Sequence, residues 1–370
     1  MSIIKSKIYS NKKVSYLIND KNKDNINDLR INYFDVLRII SSFAVITLHV
    51  SAKYNSLNYN TYNYKIALFY NGVSRFGVPI FFMISGALFL SKDISFKKIF
   101  RKYIHRILIH LISWSFIYSL YSIKYSKSNF EKIIINFFSG YFHLWYLYTT
   151  IQLYTIVPFL RETIKKESLL KVIFKLTFVF TFLFPYLTII KSYCPILLSE
   201  IINVIDLNFK NKYLSGNIFY FIFGYYLNNS INFGIYKKFL FYIIGLIGFF
   251  SILLISYISF KYQQIRILYF RILNLSILAY STGIIVFFKH NFNNINIKYK
   301  IFIKKISSYT FEIYLIHPMI IQEIRGRNDS FLSSLNLLYK IPLISLIIFL
   351  FSFMLCVIIN YLPFIGNLLV

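Results

Sequence analysis

Acidic residues and cysteines are scarce in this chain of 370 residues: 13 Asp and Glu stand against 41 Lys and Arg, and there are 2 cysteines, Cys194 and Cys356. Two thiols, one in a predicted loop and one in a predicted helix, supply neither a disulfide framework nor a thiolate metal centre, and no metal is expected. Charge as a whole is also low, at 15% of residues, while 57% are hydrophobic and 21% aromatic, with a mean hydropathy of +0.58. Soluble domains carry about a quarter charged residues, so the composition excludes an ordinary soluble domain and points to an integral membrane protein. The net charge of +28 would suit a nucleic-acid binder, but such a protein does not carry repeated long apolar runs. The expected partner is membrane lipid and not nucleic acid. Ile, Asn, Lys, Tyr and Phe are over-used throughout, so part of the charge is general bias. No Gly/Ser-rich or Pro-rich linker and no internal repeat divides the chain. The first thirty residues are polar and basic without an apolar core, which does not read as a cleaved signal peptide.

What is present is a series of long apolar runs. They predict an all-α bundle of about ten transmembrane helices: Ile31 to Lys53, Ile66 to Ser91, Tyr103 to Ile123, Phe142 to Leu160, Leu169 to Ile190, Tyr213 to Asn228, Phe239 to Phe260, Ile267 to Phe288, Ile306 to Ile324 and Ile341 to Leu362. Residues 1–30 are expected to form a basic cytoplasmic tail and residues 31–370 one membrane domain. Under this alternation the inner segments hold roughly twice as many Lys and Arg as the outer loops, which predicts both termini in the cytoplasm. Ile133 to Phe138 is a candidate for lying along the interface.

The first run carries an acid, a base and an imidazole: Asp35, Arg38 and His49. On an α-helix Arg38 and His49 lie about 20° apart in azimuth and roughly 16 Å apart along the axis. Asp35 is one turn before Arg38, a spacing that permits an i,i+3 ion pair, and Ser42 and Val45 continue the same stripe. Ionisable groups at membrane depth are costly and by default raise a functional hypothesis. The alternative is that Asp35, Arg38 and His49 snorkel to the two water boundaries. The shared face favours a common passage lined by Arg38 and His49.

Other polar groups need a reason. Arg75 in the second run either snorkels or functions, and the nearby Ser85-Gly86 pair permits close helix contact. Around the start of the third run, Arg101, Lys102 and Arg106 are either a topology signal or a phosphate site, since Arg pairs bidentately with phosphate. Trp145 and Tyr146 suit an interfacial belt. In the ninth run Glu312 and Tyr314 precede His317-Pro318, an ionisable group beside a break in the backbone ladder. Glu312 needs a basic partner, Arg75 or Arg106. His105, His110 and His290 fall at the inner boundary and read as ordinary.

Four stretches together resemble the acyltransferase 3 family of membrane enzymes that O-acylate surface saccharides. They are Phe34-Asp35-Val36-Leu37-Arg38 with His49, Val78-Pro79-Ile80-Phe81-Phe82-Met83-Ile84-Ser85-Gly86, His143-Leu144-Trp145-Tyr146-Leu147 with Tyr154 and Pro158, and Ile313-Tyr314-Leu315-Ile316-His317-Pro318. In order, they cover nearly the whole chain from Tyr33 to Met319. The resemblance implies that acyl-CoA, usually acetyl-CoA, enters from the cytoplasm, that its acyl group passes to a saccharide hydroxyl at the outer face, and that Arg38 and His49 are essential. Two departures stand out. Ile109-His110 replaces a proline often found after the basic run, and Thr150-Ile151-Gln152 replaces a Glu-containing motif. The chain thus looks like the shorter branch that is not fused to an extracellular hydrolase and includes enterobacterial common antigen O-acetyltransferases.

On this reading the protein is an O-acetyltransferase of the plasma membrane. A thioester is already activated, so the task is to align a hydroxyl and remove its proton, and an imidazole with pKa of about 6.5 suits general-base work. His49 takes that role, either directly or through a transient acetyl-imidazole. Arg38 holds the pantetheine or phosphate end, Asp35 fixes its guanidinium, and Arg101, Lys102, Arg106 and Arg75 are the candidate cofactor-binding cations. The alternative is a transporter or flippase of a lipid-linked or polymeric saccharide, for which pseudo-symmetry and broken midplane helices would be expected.

Overall fold

The structure is a computed structural model that describes residues 32–56, 61–125, 130–183, 194–195, 197–201, 216–230, 234–261, 275–292, 296–325 and 335–362. The predicted tail, most of the outer stretch from 191 to 212, and parts of the fifth, sixth and eighth predicted runs lie outside the described residues.

All the elements among the described residues are helical. The apolar runs become α1 (Asn32–Ala52), α2 (Tyr62–Val73, a tight turn at Ser74–Phe76, then Gly77–Leu90) and α3 (Phe96–Lys98, a widened turn at Ile99–Ile104, then His105–Tyr125). A short α4 (Phe130–Ser139) precedes α5 (Trp145–Lys165). Next come α6 (Glu167–Phe178, widening at Val179–Leu183), α7 (Asn217–Tyr225, widening at Tyr226–Ser230), α8 (Ile235–Lys261) and α9 (Leu275–Asn291). The chain ends with α10 (Ile297–Ser308), α11 (Thr310–Arg325) and α12 (Leu337–Tyr361). Among the described residues five helices are long and apolar enough to cross a membrane: α1, α2, α3, α8 and α12.

The ninth predicted run is not one helix. Ser308 and Thr310 turn their hydroxyls onto nearby carbonyls, with Thr310 Oγ1 donating to Ser307 O at 2.8 Å and Ser308 Oγ to Lys305 O at 2.7 Å. Such local bonds compete with the helix ladder, and the chain breaks at Tyr309. The stretch expected along the interface, Ile133 to Phe138, is part of the longer helix α4, which exposes Phe130, Ile134, Ile135 and Phe138.

Helix α1 is the axle of the bundle, packed by α2, α9, α10, α11 and α12. Around the perimeter the apolar residues face outward at helical spacing, as in Ile112, Phe116 and Leu120 on α3 and Leu346, Leu350 and Met354 on α12. Water would make that arrangement unfavourable; hydrocarbon does not. At the shared end of α2 and α7, cations cap the helix carboxyl ends. Arg161 donates to the carbonyls of Phe89 and Ile94, and Lys289 Nζ donates to Leu227 O at 2.8 Å and Asn228 O at 2.9 Å. Free terminal carbonyls and the negative end of the helix dipole both favour a cation there.

Two helix pairs meet backbone to backbone, α2 with α7 and, through Gly245 and Gly283, α8 with α9. A Cβ on Gly86 would overlap the Phe221 carbonyl, and one on Gly224 would overlap the Met83 carbonyl, so α2 and α7 can approach this closely only without side chains. Gly86→Val should therefore cost about 1–3 kcal/mol or more through overpacking and lower the unfolding temperature of the detergent-purified chain. Gly234→Ala, which meets nothing within 4 Å, serves as the control; equal effects of the two would contradict this packing.

Candidate active site

The first turn of α1 points its acid inward. Asp35 is 3% exposed, and its Oδ1 accepts from Arg38 Nη1 at 2.9 Å and from Ser307 Oγ at 2.8 Å. The i,i+3 pair expected from spacing is present, and it is anchored across to α10. One turn further along, Ser42 Oγ donates to Thr310 O at 3.4 Å. The polar line on α1 thus faces the junction between α10 and α11, and two side chains of that line bond to it.

Beside this junction lies a cavity of about 380 Å³ lined by Arg38, Ser85, Tyr103, Arg106, Tyr146, Tyr154 and Tyr314, with Phe81, Leu88 and Phe311 as apolar wall. A second chamber of about 380 Å³ shares Arg38, Arg106, Tyr146 and Tyr154 with the first and continues past Glu312, Ser307 and the exposed Ser308. Phenol rings, two guanidiniums and one carboxylate in an otherwise apolar wall suit a ligand that is long, partly anionic and partly apolar. Arg106 Nη2 meets Glu312 Oε1 at 3.3 Å, so Arg106 and not Arg75 is the partner of this buried acid. Glu312 Oε2 is buried with no hydrogen-bond partner among the described residues.

At the other end of α1 the ring of His49 lies 5.3 Å from that of His317 and 5.1 Å from that of Phe142. His143 stands behind them, its ring 5.8 Å from His317 and 5.0 Å from Tyr118. Tyr314 joins the two regions. It lines the cavity, its hydroxyl donates to the His143 carbonyl, and its ring is 5.5 Å from His143 and 5.7 Å from His317. The residues lining these two chambers include Arg38 and Tyr314 but not His49, and the Tyr314 ring in turn lies near His143 and His317, the latter beside His49.

The remaining candidates divide. Ser85, Tyr146 and Tyr314 line the first chamber, and Glu312 lines the second. Arg101 and Lys102 are exposed on the widened turn of α3, outside the lining that Tyr103 and Arg106 enter. Trp145 is 40% exposed at the start of α5 and packs on Phe82 and Tyr146. Arg75 does not join the other cations. Its Nε and Nη2 donate to Asn71 Oδ1 at 3.1 and 2.9 Å, and Asn71 in turn bonds Ser51 near the carboxyl end of α1. The antiparallel run of α2 along α1 carries Arg75 to the His49 end. Sequence reasoning passed over His143, which the belt of aromatics disguised, and Tyr103, Tyr154 and Ser307, whose roles depend on which helices become neighbours. Among the described residues no cluster of His, Cys, Asp and Glu is arranged to hold a metal.

A family model described as an acyltransferase domain matches residues 31–361. Neither the curated proteins nor the solved structures give a match to this chain.

The Asp35 junction can be tested by removal. Asp35→Ala takes a partner from Arg38, whose side chain is 27% exposed, so the cost should fall below the roughly 3–5 kcal/mol of a fully buried pair, at about 1–3 kcal/mol. Ser307→Ala removes one hydrogen bond and should cost about 1 kcal/mol. Thermal unfolding of the purified variants would show that order; Ser307→Ala as the more damaging change would refute it.

Proposed function

This chain belongs to the acyltransferase-domain family, and on that premise we propose that it moves an acetyl group from acetyl-CoA on the cytoplasmic side of the plasma membrane to a hydroxyl of a cell-envelope saccharide at the outer face. The observation that carries the proposal is the two-ended arrangement along α1: guanidiniums and phenols around a chamber at the Arg38 end, and imidazoles at the other, with Tyr314 in contact with both. The roughly 16 Å between residues 38 and 49 is of the order spanned by an extended pantetheine arm. Membership of an acyltransferase family favours the enzyme over the transporter reading.

In this proposal the bundle has about ten spans with both termini inside, so that the Arg38 end faces the cytoplasm. Arg38 and Arg106 receive anionic groups of the donor by charge-assisted hydrogen bonds, while the exposed Arg101 and Lys102 draw phosphates toward the mouth. Asp35 and Glu312 hold the two guanidiniums in place. His49 acts as general base toward the acceptor hydroxyl. The proton of the alcohol passes to the imidazole, the oxygen bonds to the thioester carbonyl carbon, the carbon–sulfur bond breaks, and the proton ends on the thiolate. Alcohol and thioester thereby become ester and thiol.

A positioned base contributes about 10²–10⁴-fold in rate. Purified His49→Ala should lose acceptor-dependent release of CoA thiol by that factor, and Arg38→Ala should raise the KM for acetyl-CoA. Mass spectrometry of surface polysaccharide from cells with and without the protein should reveal one lost acetyl increment. Normal transfer by His49→Ala would end this assignment.

A further inference from the structure

Helix α11 contains a vacancy in its own ladder. In a regular helix the N–H of residue 318 would donate to the carbonyl of residue 314, but Pro318 has no N–H. The Tyr314 carbonyl is met instead by the side chain of the preceding residue: His317 Nδ1 lies 2.6 Å from Tyr314 O. A carbonyl only accepts, so Nδ1 carries the hydrogen, and the neutral ring keeps its lone pair on Nε2. That nitrogen is fully buried, since His317 is 0% exposed, and it has no hydrogen-bond partner among the described residues. The adjacent Leu315 carbonyl is also held from outside the helix, by Tyr118 Oη at 2.7 Å. His317-Pro318 is thus a device for presenting an unprotonated imidazole nitrogen.

Two imidazole rings lie close to the His317 ring, His49 and His143. Imidazoles joined end to end by an N–H···N bond of about 2.9 Å have ring centroids about 5 Å apart. The His49 ring lies at 5.3 Å from His317 and the His143 ring at 5.8 Å. His49 is the nearer to the separation such a bond sets. Catalytic hydrogen bonds are often long in ligand-free sites and tighten on binding.

We propose that His317 is a positioning residue for His49. Its Nε2 accepts one N–H of the His49 ring, which leaves the other His49 nitrogen with the lone pair that takes the acceptor's proton. The same bond then holds the imidazolium until the proton passes to the leaving thiolate. His317 fills the place that a carboxylate fills in a Ser-His-Asp triad, without placing a negative charge in the membrane interior. This rests on the assignment of His49 as base made above.

Three variants of the full chain in detergent or nanodiscs test it. His317→Leu removes the acceptor and should lower kcat about 10²-fold, with KM for acetyl-CoA and for the saccharide changed less than about threefold. His317→Gln, which places an amide oxygen near the Nε2 position, should restore about a tenth of the wild-type rate or more. Pro318→Ala touches no site side chain, yet returns a backbone N–H that competes for the Tyr314 carbonyl, and should lower kcat several-fold while raising thermal stability. A readout free of substrate stands beside these. NMR of the ¹⁵N-histidine-labelled chain should show His317 protonated at Nδ1 and its Nε2 resonance displaced in His49→Ala. An unchanged kcat in His317→Leu, a loss confined to KM, or a ring protonated at Nε2 would each overturn the proposal. If the wild-type chain does not use acetyl-CoA, the substrate reading fails by itself, and the NMR result still decides the role of His317. If His317→Leu does not fold, Pro318→Ala and the spectra carry the decision.

Discussion

One carboxylate oxygen holds the centre of this protein together. Asp35 Oδ1 receives both the Arg38 guanidinium and the Ser307 hydroxyl, and in doing so binds α1 to the break between α10 and α11. In water such a contact would be worth little, because solvent competes for every partner. Inside a membrane bundle no solvent is at hand, and an unsatisfied buried charge is far more costly than a lost surface pair. The acid therefore dictates which helix lies beside α1 and at what height. Once α10 is held there, Thr310 meets Ser42, Glu312 faces Arg106, and the downstream turn of α11 brings Tyr314 and His317 toward the far end of α1. Both ends of the site follow from that single docking.

Breaks in regularity supply the rest. The hydroxyls at Ser308 and Thr310 mark where one helix ends and another starts; Pro318 frees a carbonyl that a histidine takes; a widened turn in α3 precedes Arg106. Each of these three lies beside the cavity or the imidazoles, where side chains must be aimed in directions an ideal helix does not offer; the widened turns of α6 and α7 contribute none of the lining named above. The glycine-mediated contact of α2 with α7 provides the rigid frame against which these irregular pieces are held.

The fold was legible in the sequence where a property repeats along one helix. Apolar runs marked helices, five of them long and apolar enough to cross a membrane, and the three-residue spacing from Asp35 to Arg38 marked the ion pair on α1. What depends on neighbours was not legible. Glu312 offered no way to choose between Arg75 and Arg106, because helix spacing describes a face and not the helix that covers it. His143 read as part of an aromatic belt, since its burial against Tyr118 and Tyr314 comes from tertiary packing alone. Tyr309 went unnoticed as a break because hydroxyl-to-carbonyl bonds leave the apolar pattern intact. The gap opened by Pro318 could be counted from the sequence, but that His317 would fill it required the ring to be seen.

The widened turn at Ile99–Ile104 carries a consequence for how α3 tolerates changes in length. A turn that closes on the fifth residue contains one residue more than a regular turn, and each residue of a helix rotates its successors by about 100°. The surplus residue is what leaves Lys98, Arg101 and Lys102 on the outside while Tyr103 and Arg106 enter the cavity. Removing one residue from this turn would let the ladder close normally, with the helix intact and its basic amino end rotated by roughly a quarter of a circle relative to Arg106. The outward charges of Arg101 and Lys102 and the charge of Arg106, which reaches the cavity lining and Glu312, are thus set in phase by a single inserted residue.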